Sequence, residues 1–233
     1  RSMIPGSCNP LLFSTGLTYQ VSRSLRCNGT DTAYLSRTPS VAGNRKKWTW
    51  SVWLKNYNSI TALGVLFSAG PLAASLNETG LFTVNISSGR VTSKSFHAAG
   101  TFTEITSTPF IRDATAWYHL VVVLDTDNAT AADRIQLYIN NSRLSVTGTY
   151  PPLGTQYGVN STVAHGICHY VWNGAYPISV QLAEINFVDG QALLPTSFGT
   201  TDAYGEWQPI SYSGTYGTNG YKLNFSDNSA ATA

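Results

Sequence analysis

Apolar residues recur at every second position in several short stretches of this chain, and no stretch carries a convincing helical period. Residues 48–55 read WTWSVWLK, with Trp48, Trp50, Val52 and Leu54 on one face and Thr49, Ser51 and Lys55 on the other. Trp53 breaks this alternation, which places it at a sheet edge. Residues 117–125, WYHLVVVLD, form a β-branched run bounded by polar turn residues, which predicts a central strand apolar on both faces. Residues 134–140, RIQLYIN, put Ile135, Leu137 and Ile139 on one face and Gln136 and Tyr138 on the other, the pattern of a half-buried strand. Asn140-Asn141 then predicts a turn, because Asn tolerates left-handed backbone angles. Phe82, Val84 and Ile86 alternate with Thr83 and Asn85. Residues 179–188 predict a further strand, closed by the turn pair Asp189-Gly190. Shorter candidates lie at 33–36, 64–68, 91–95, 101–105 and 163–168, and the one short-helix candidate lies at 195–198.

Many short strands with frequent turn signals predict an all-β antiparallel sandwich or barrel. The length, 233 residues, suits one large domain with its own core. The expected division is an N-terminal arm at 1–18, the sandwich at 19–225, and a linker-like end at 226–233. Tyr221, Leu223 and Phe225 alternate just before that end and predict an edge strand. The Ser- and Asn-rich end reads as the start of a connection to something longer.

Composition narrows the function classes. Charged residues make up 11% of the chain, against roughly 25% in ordinary globular proteins, while the apolar share is a normal 42%. Ser, Thr, Asn, Gly and Tyr take the place of charge, a palette that resembles adaptable binding loops. Net charge is +2 and the densest basic run is Arg45-Lys46-Lys47, too little to neutralise a nucleic-acid backbone. No apolar run approaches the length that spans a bilayer, so membrane insertion is not expected. Cys8, Cys27 and Cys168 permit at most one internal disulfide; their wide spacing fits no zinc signature, and buried free thiols are the plainer reading.

The order and wording of the strand segments resemble a known family. The 117–123 segment WYHLVVV, an Asp-bearing loop and the 134–140 segment RIQLYIN are similar to the paired strands of concanavalin A-like domains of the laminin-G and pentraxin types. The flanks, SLR at 24–26, AYLSRTP at 33–39, AGNRK at 42–46, WTWS at 48–51 and LAEINFVDGQAL at 182–193, resemble laminin-G-like domains of tailed-bacteriophage structural proteins. That resemblance covers about residues 19–229. It implies a concanavalin A-like (laminin-G-like) jelly-roll sandwich. It also implies a virion module such as a capsid decoration, head fibre or tail-associated domain, docking on other virion proteins or on copies of itself. The alternatives are a secreted, stand-alone lectin and, more remotely, a glycan-degrading enzyme. Cys27 stands where those openings commonly carry an aromatic.

Candidate chemistry is sparse. Glucanases of this superfamily resemble one another in a Glu-x-Asp-x-x-Glu strand, which is absent; Glu184 and Asp189, five apart, are expected on opposite faces. No Gly-x-Ser-x-Gly elbow or phosphate-cradling glycine loop occurs. A non-catalytic module follows. His165 and His169 would stand about 13 Å apart on a strand, too far to share a metal. His119, inside the apolar strand, reads as a hydrogen-bonded core histidine. Asp125, Asp127, Asn128 and Asp133 supply hard oxygens suited to calcium, and are equally ordinary turn formers. Tyr157, Tyr170, Trp172, Asn173 and Tyr176 combine aromatic faces with amide chemistry, the makings of a carbohydrate site, although Trp172 and Tyr176 packed over the sandwich end would serve structure alone. Cell-surface glycans are the expected ligand class.

Overall fold

The computed structural model describes residues 19–31, 33–55, 63–71, 80–98, 101–171 and 173–226. The expected arm at 1–18 and most of the expected linker lie outside the described residues, as do Cys8 and Trp172. The described strands, in chain order, are β1 (Leu25–Cys27), β2 (Leu35–Arg37), β3 (Lys47–Lys55), β4 (Gly64–Gly70), β5 (Phe82–Ser87), β6 (Arg90–Ala98), β7 (Thr101–Ser107), β8 (Tyr118–Asp125), β9 (Ile135–Ile139), β10 (Ser142–Arg143), β11 (Val146–Gly148), β12 (Ala164–Ile167), β13 (Val180–Asp189), β14 (Gly199–Thr201), β15 (Trp207–Pro209) and β16 (Tyr221–Leu223).

They form an antiparallel two-sheet jelly-roll sandwich. Sheet I runs β1-β13-β3-β8-β9-β10, with β16 also pairing β13. Sheet II runs β11-β7-β6-β5-β4-β12-β2. Strand β8 is central and β9 follows it antiparallel with Val122 opposite Leu137, so the two most strongly patterned segments build the middle of sheet I. The turn after β9 uses Asn140 (φ 45°) and Asn141 (φ 68°), both left-handed as Asn allows. Trp48, Trp50, Val52 and Leu54 all face the core between the sheets, where Trp48 meets Phe82 edge-on at 5.2 Å and Trp50 stacks on Phe67 at 5.2 Å.

Trp53 is not at a sheet edge. It lies on the outer face of β3, between β13 and β8, and stacks on His119 at 5.0 Å. The reason is a third layer over part of sheet I. Residues 190–216 fold back across that face, carrying a 3-10 turn (Pro195–Ser197) and the β14–β15 pair. Phe198 packs with Val121, Val123, Tyr138 and Val188 beneath it. This cover explains why β8 is apolar on both faces.

A disulfide joins Cys27 in β1 to Cys168 just after β12, with Cα atoms 6.5 Å apart, and this overturns the free-thiol reading. Spacing could not reveal it, because the two residues meet only after 141 positions of chain have folded. The bridge clamps one margin of sheet I to the facing margin of sheet II.

Candidate functional site

The outer face of sheet II carries the arrangement with the most binding chemistry. A bulge in β4 between Val65 and Phe67 turns Leu66 and Phe67 into the core and leaves Val65 outside. Alternation along β5 and β6 places Thr83, Asn85, Lys94 and Phe96 on the same outer face. Over them comes the loop that follows β12. Cys168 turns it with φ 57°. Ser68 then fixes it: its hydroxyl donates to the His169 carbonyl at 2.6 Å and accepts from the Val171 N–H at 3.0 Å. The Val65 N–H donates to the Tyr176 carbonyl at 3.0 Å, which pins the far end of the loop.

Between loop and sheet lies a groove of about 160 Å³, floored by Thr83, Asn85, Lys94 and Phe96 and walled by Tyr170 and Tyr176. The two tyrosine rings are 5.7 Å apart. Tyr176 is 47% exposed and Phe102, on the neighbouring strand, 48%, so aromatic surface is presented to solvent. The Asn85 amide donates to Thr83 Oγ1 at 3.1 Å, while its carbonyl oxygen has no hydrogen-bond partner among the described residues. Lys94 supplies the positive charge. It pairs with Glu104 at 3.3 Å and lies 4.1 Å from the centre of the Phe102 ring. Burial, with Tyr176 nearby, pushes the Tyr170 hydroxyl above the usual tyrosine range, so it keeps its proton at neutral pH.

The sequence-predicted carbohydrate residues separate. Tyr170 and Tyr176 meet in this groove. Asn173 is exposed in the turn beside it, where its side-chain oxygen accepts from the Ala175 N–H at 2.9 Å. Trp172 lies outside the described residues. Tyr157 does not belong with them: it is fully buried, packs on Phe82 at 5.7 Å and reaches Thr103 Oγ1 with its hydroxyl, so no sugar can lie on its ring. Thr83, Asn85, Lys94 and Phe96 were missed, although the alternation with Phe82, Val84 and Ile86 already puts Thr83 and Asn85 away from the core.

The four calcium candidates do not converge. Asp125 pairs with Lys47 at 3.0 Å, Asp127 with Lys46 at 3.2 Å and Asp133 with Arg143 at 2.8 Å. The Asn128 side-chain oxygen accepts from the Thr130 N–H at 2.9 Å. Among the described residues no three His, Cys, Asp or Glu side chains gather as a metal site. The donor set therefore does not fit calcium, which takes six to eight oxygens.

His119 and His165 serve structure. Trp207 Nε1–H donates to His119 Nδ1 at 2.9 Å, so Nε2 carries the proton and donates to Ser51 Oγ at 2.8 Å. Burial holds His119 down at about 3. His165 accepts from the Asn160 N–H at 2.8 Å and donates to the Val163 carbonyl at 2.8 Å; burial lowers it to about 4.

No family model matches the sequence, and no curated protein matches it. Solved structures share its fold. Mouse laminin α1 domains LG4-5 superpose with a TM-score of 0.51 at 9% identity, over 85% of this chain and 46% of that one. The botulinum neurotoxin serotype G binding domain gives 0.52 at 14% identity, over 78% and 45%. The leech intramolecular trans-sialidase, complexed with 2,7-anhydro-Neu5Ac, gives 0.51 at 15% identity, over 70% and 26%. The chain spans less than half the length of each, and at these identities the likeness is one of fold alone, an antiparallel two-sheet jelly-roll sandwich.

Proposed function

We propose that this chain is a non-catalytic glycan-binding module, and that it serves as a structural part of a phage particle. The observation that carries the binding reading is the groove between Tyr176 and the Thr83–Asn85–Lys94–Phe96 floor. A pyranose offers an apolar C–H face and a rim of hydroxyls. Phe96, Tyr170 and Tyr176 supply surfaces for the first, and Asn85, Thr83 and Lys94 supply partners for the second. A volume of about 160 Å³ suits one ring, since an apolar cavity of about 150 Å³ takes benzene.

Holding rather than cutting is the chemistry these residues support. Glycoside hydrolysis uses two carboxyl groups about 5–9.5 Å apart. Among the described residues no acid lines this groove, and Glu104 beside it pairs with Lys94. The virion assignment rests on the resemblance of the 24–51 and 182–193 segments to phage laminin-G-like domains. A one-ring site binds weakly, and repeated copies on a particle turn weak affinity into avidity.

The test is a glycan array followed by calorimetric titration of the best ligand. Binding that falls at least tenfold in Tyr176→Ala and Lys94→Met, and is unchanged in the remote Tyr204→Ala, supports the proposal. No ligand on the array, or a ligand whose affinity ignores Tyr176→Ala, overturns it.

A further inference from the structure

The sandwich is not closed along one margin. There the edge of sheet I, formed by β1 and β16 on β13, faces the edge of sheet II, formed by β2 on β12. The Cys27–Cys168 disulfide pins the β1 end of this margin. At the β16 end the two edge strands are three residues each and leave a cavity of about 280 Å³. Its body is apolar, with Leu35, Phe67, Ile167, Phe187 and Leu223 in its walls.

Three polar side chains in those walls, Asn160, Asn219 and His165, are already engaged. Asn160 and Asn219 bond to each other at 2.9 Å and both bind Asp189. His165 has both ring nitrogens satisfied, as described above. These residues ask nothing of a ligand and make a stiff, pre-formed wall. Asn160 holds a left-handed φ of 64° while fully buried, strain that the surrounding bonds hold in place.

Arg37 differs. It is exposed and lines the cavity. One of its N–H groups donates to the Asn219 carbonyl at 2.9 Å, and its guanidinium stands 5.7 Å from the centre of the Tyr221 ring. Its side chain makes no ion pair with a carboxylate among the described residues. A guanidinium has five N–H donors and a geometry that matches a carboxylate in two-point contact.

We propose that this cavity binds an amphipathic carboxylate, with an unbranched or aryl apolar body between the sheets and the acid on Arg37. An engineered apolar cavity of about 150 Å³ accepts benzene; 280 Å³ is nearly twice that, room for roughly ten carbons in proportion. The site is separate from the glycan groove, which lies on the outer face of sheet II, and does not depend on it.

The test uses decanoate below its micellar range, with decanol and decyltrimethylammonium as matched chains bearing no charge and the opposite charge. Calorimetry on the whole chain should show decanoate binding at least tenfold more tightly than either. Arg37→Gln should remove that preference while leaving decanol affinity within twofold. Ile167→Trp should fill the cavity and abolish binding of all three; Leu223→Trp, at the rim, serves if the first variant lacks a native circular dichroism spectrum. Tyr176→Ala should bind decanoate like the parent, so loss of the glycan site and loss of this one are distinguishable. The proposal is overturned if decanoate does not bind, if it binds no better than decanol, or if a folded cavity-filling variant binds it undiminished.

Discussion

Trp207 donates its indole N–H to Nδ1 of His119 at 2.9 Å, 88 residues away in the chain, and so fastens the β14–β15 cover to the centre of sheet I. The imidazole is buried, neutral and held at about 3, against an ordinary value of 6.5; His165 is held at about 4 by the same cause. The unfolded chain takes up these protons below pH 6.5 and the folded one does not. Both histidines therefore contribute full stability above pH 6.5 and lose it as pH falls toward 4 and then 3. The unfolding free energy from urea melts should be level from pH 7 to 9 and fall below 6.5, by up to about 2 kcal/mol per histidine at pH 5. His119→Gln should reduce that fall by about half at pH 5, leaving the part that His165 contributes. Trp207→Phe, which leaves Nδ1 without its donor, should cost about 1–3 kcal/mol at pH 7.

The Cys27–Cys168 bridge closes a loop that contains most of the sandwich. Loops of this size gain about 4–5 kcal/mol from cross-linking in the chain-entropy treatment, and measured losses for native bridges run about 2–5 kcal/mol. Cys27→Ser with Cys168→Ser should lower the melting temperature by several degrees or more. Peptide mapping without reductant should recover the two cysteines on one linked fragment. Two separate thiol peptides under oxidising conditions would refute the bridge.

What the chain reveals locally and what it hides follow from how far each feature reaches. Val122 opposite Leu137 was legible because one segment is a bounded β-branched run, the other alternates cleanly, and a single polar loop joins them. The inward face of β3 was legible from Trp48 to Leu54 for the same reason. Trp53 was misplaced because its neighbour His119 is covered by Phe198 and Trp207, and no local pattern announces a layer about 150 positions later. Tyr157 looked like a loop aromatic, yet its loop dips under β5 and β7 to reach Phe82 and Thr103. Half of the candidate groove was visible as an aromatic, amide-bearing loop. The other half, on β5 and β6, needed the topology that sets that loop over them.

Calcium should leave the fold unmoved. Each carboxylate of the 125–133 loop already has its own cation in Lys47, Lys46 or Arg143. Asp125 Oδ1 is the buried side-chain acceptor of that loop left without a hydrogen bond, and one oxygen is far short of a calcium shell. Millimolar calcium should shift the melting temperature by less than about 1 °C, the scale of a weak surface ion effect. A shift of several degrees that EDTA reverses would show that the loop rearranges to gather its acids.

Asp189 closes the margin of the sandwich on which the cavity opens. Its Oδ1 accepts from the Asn44 N–H at 2.8 Å and from the Asn160 amide, and its Oδ2 accepts from the Asn219 N–H at 3.1 Å. Three loops, around 44, 160 and 219, are thereby tied to the end of β13 by one buried carboxylate. Asp189→Ala would strand the donors of buried Asn160 and Asn219, each worth about 1–3 kcal/mol, and free the N–H of exposed Asn44, with losses that overlap because the donors share one carboxylate. A net cost of about 2–4 kcal/mol is expected. Gly43 tests the same point from the other side. A Cβ built there would stand 2.1 Å from Asp189 Oδ2 and 2.6 Å from the Asn160 amide atoms, and those side chains cannot swing away without breaking their own bonds. Gly43→Ala should therefore destabilise the fold by an amount comparable to Asp189→Ala, although it adds only a methyl group. Pairing the two substitutions decides the mechanism. Once Asp189 is cut back to Ala, much of the clash at position 43 is gone, so the double variant should cost clearly less than the sum of the singles in a urea-melt cycle. Additive losses would mean that Gly43 is required for its backbone alone and that the carboxylate network does not determine the packing of this loop.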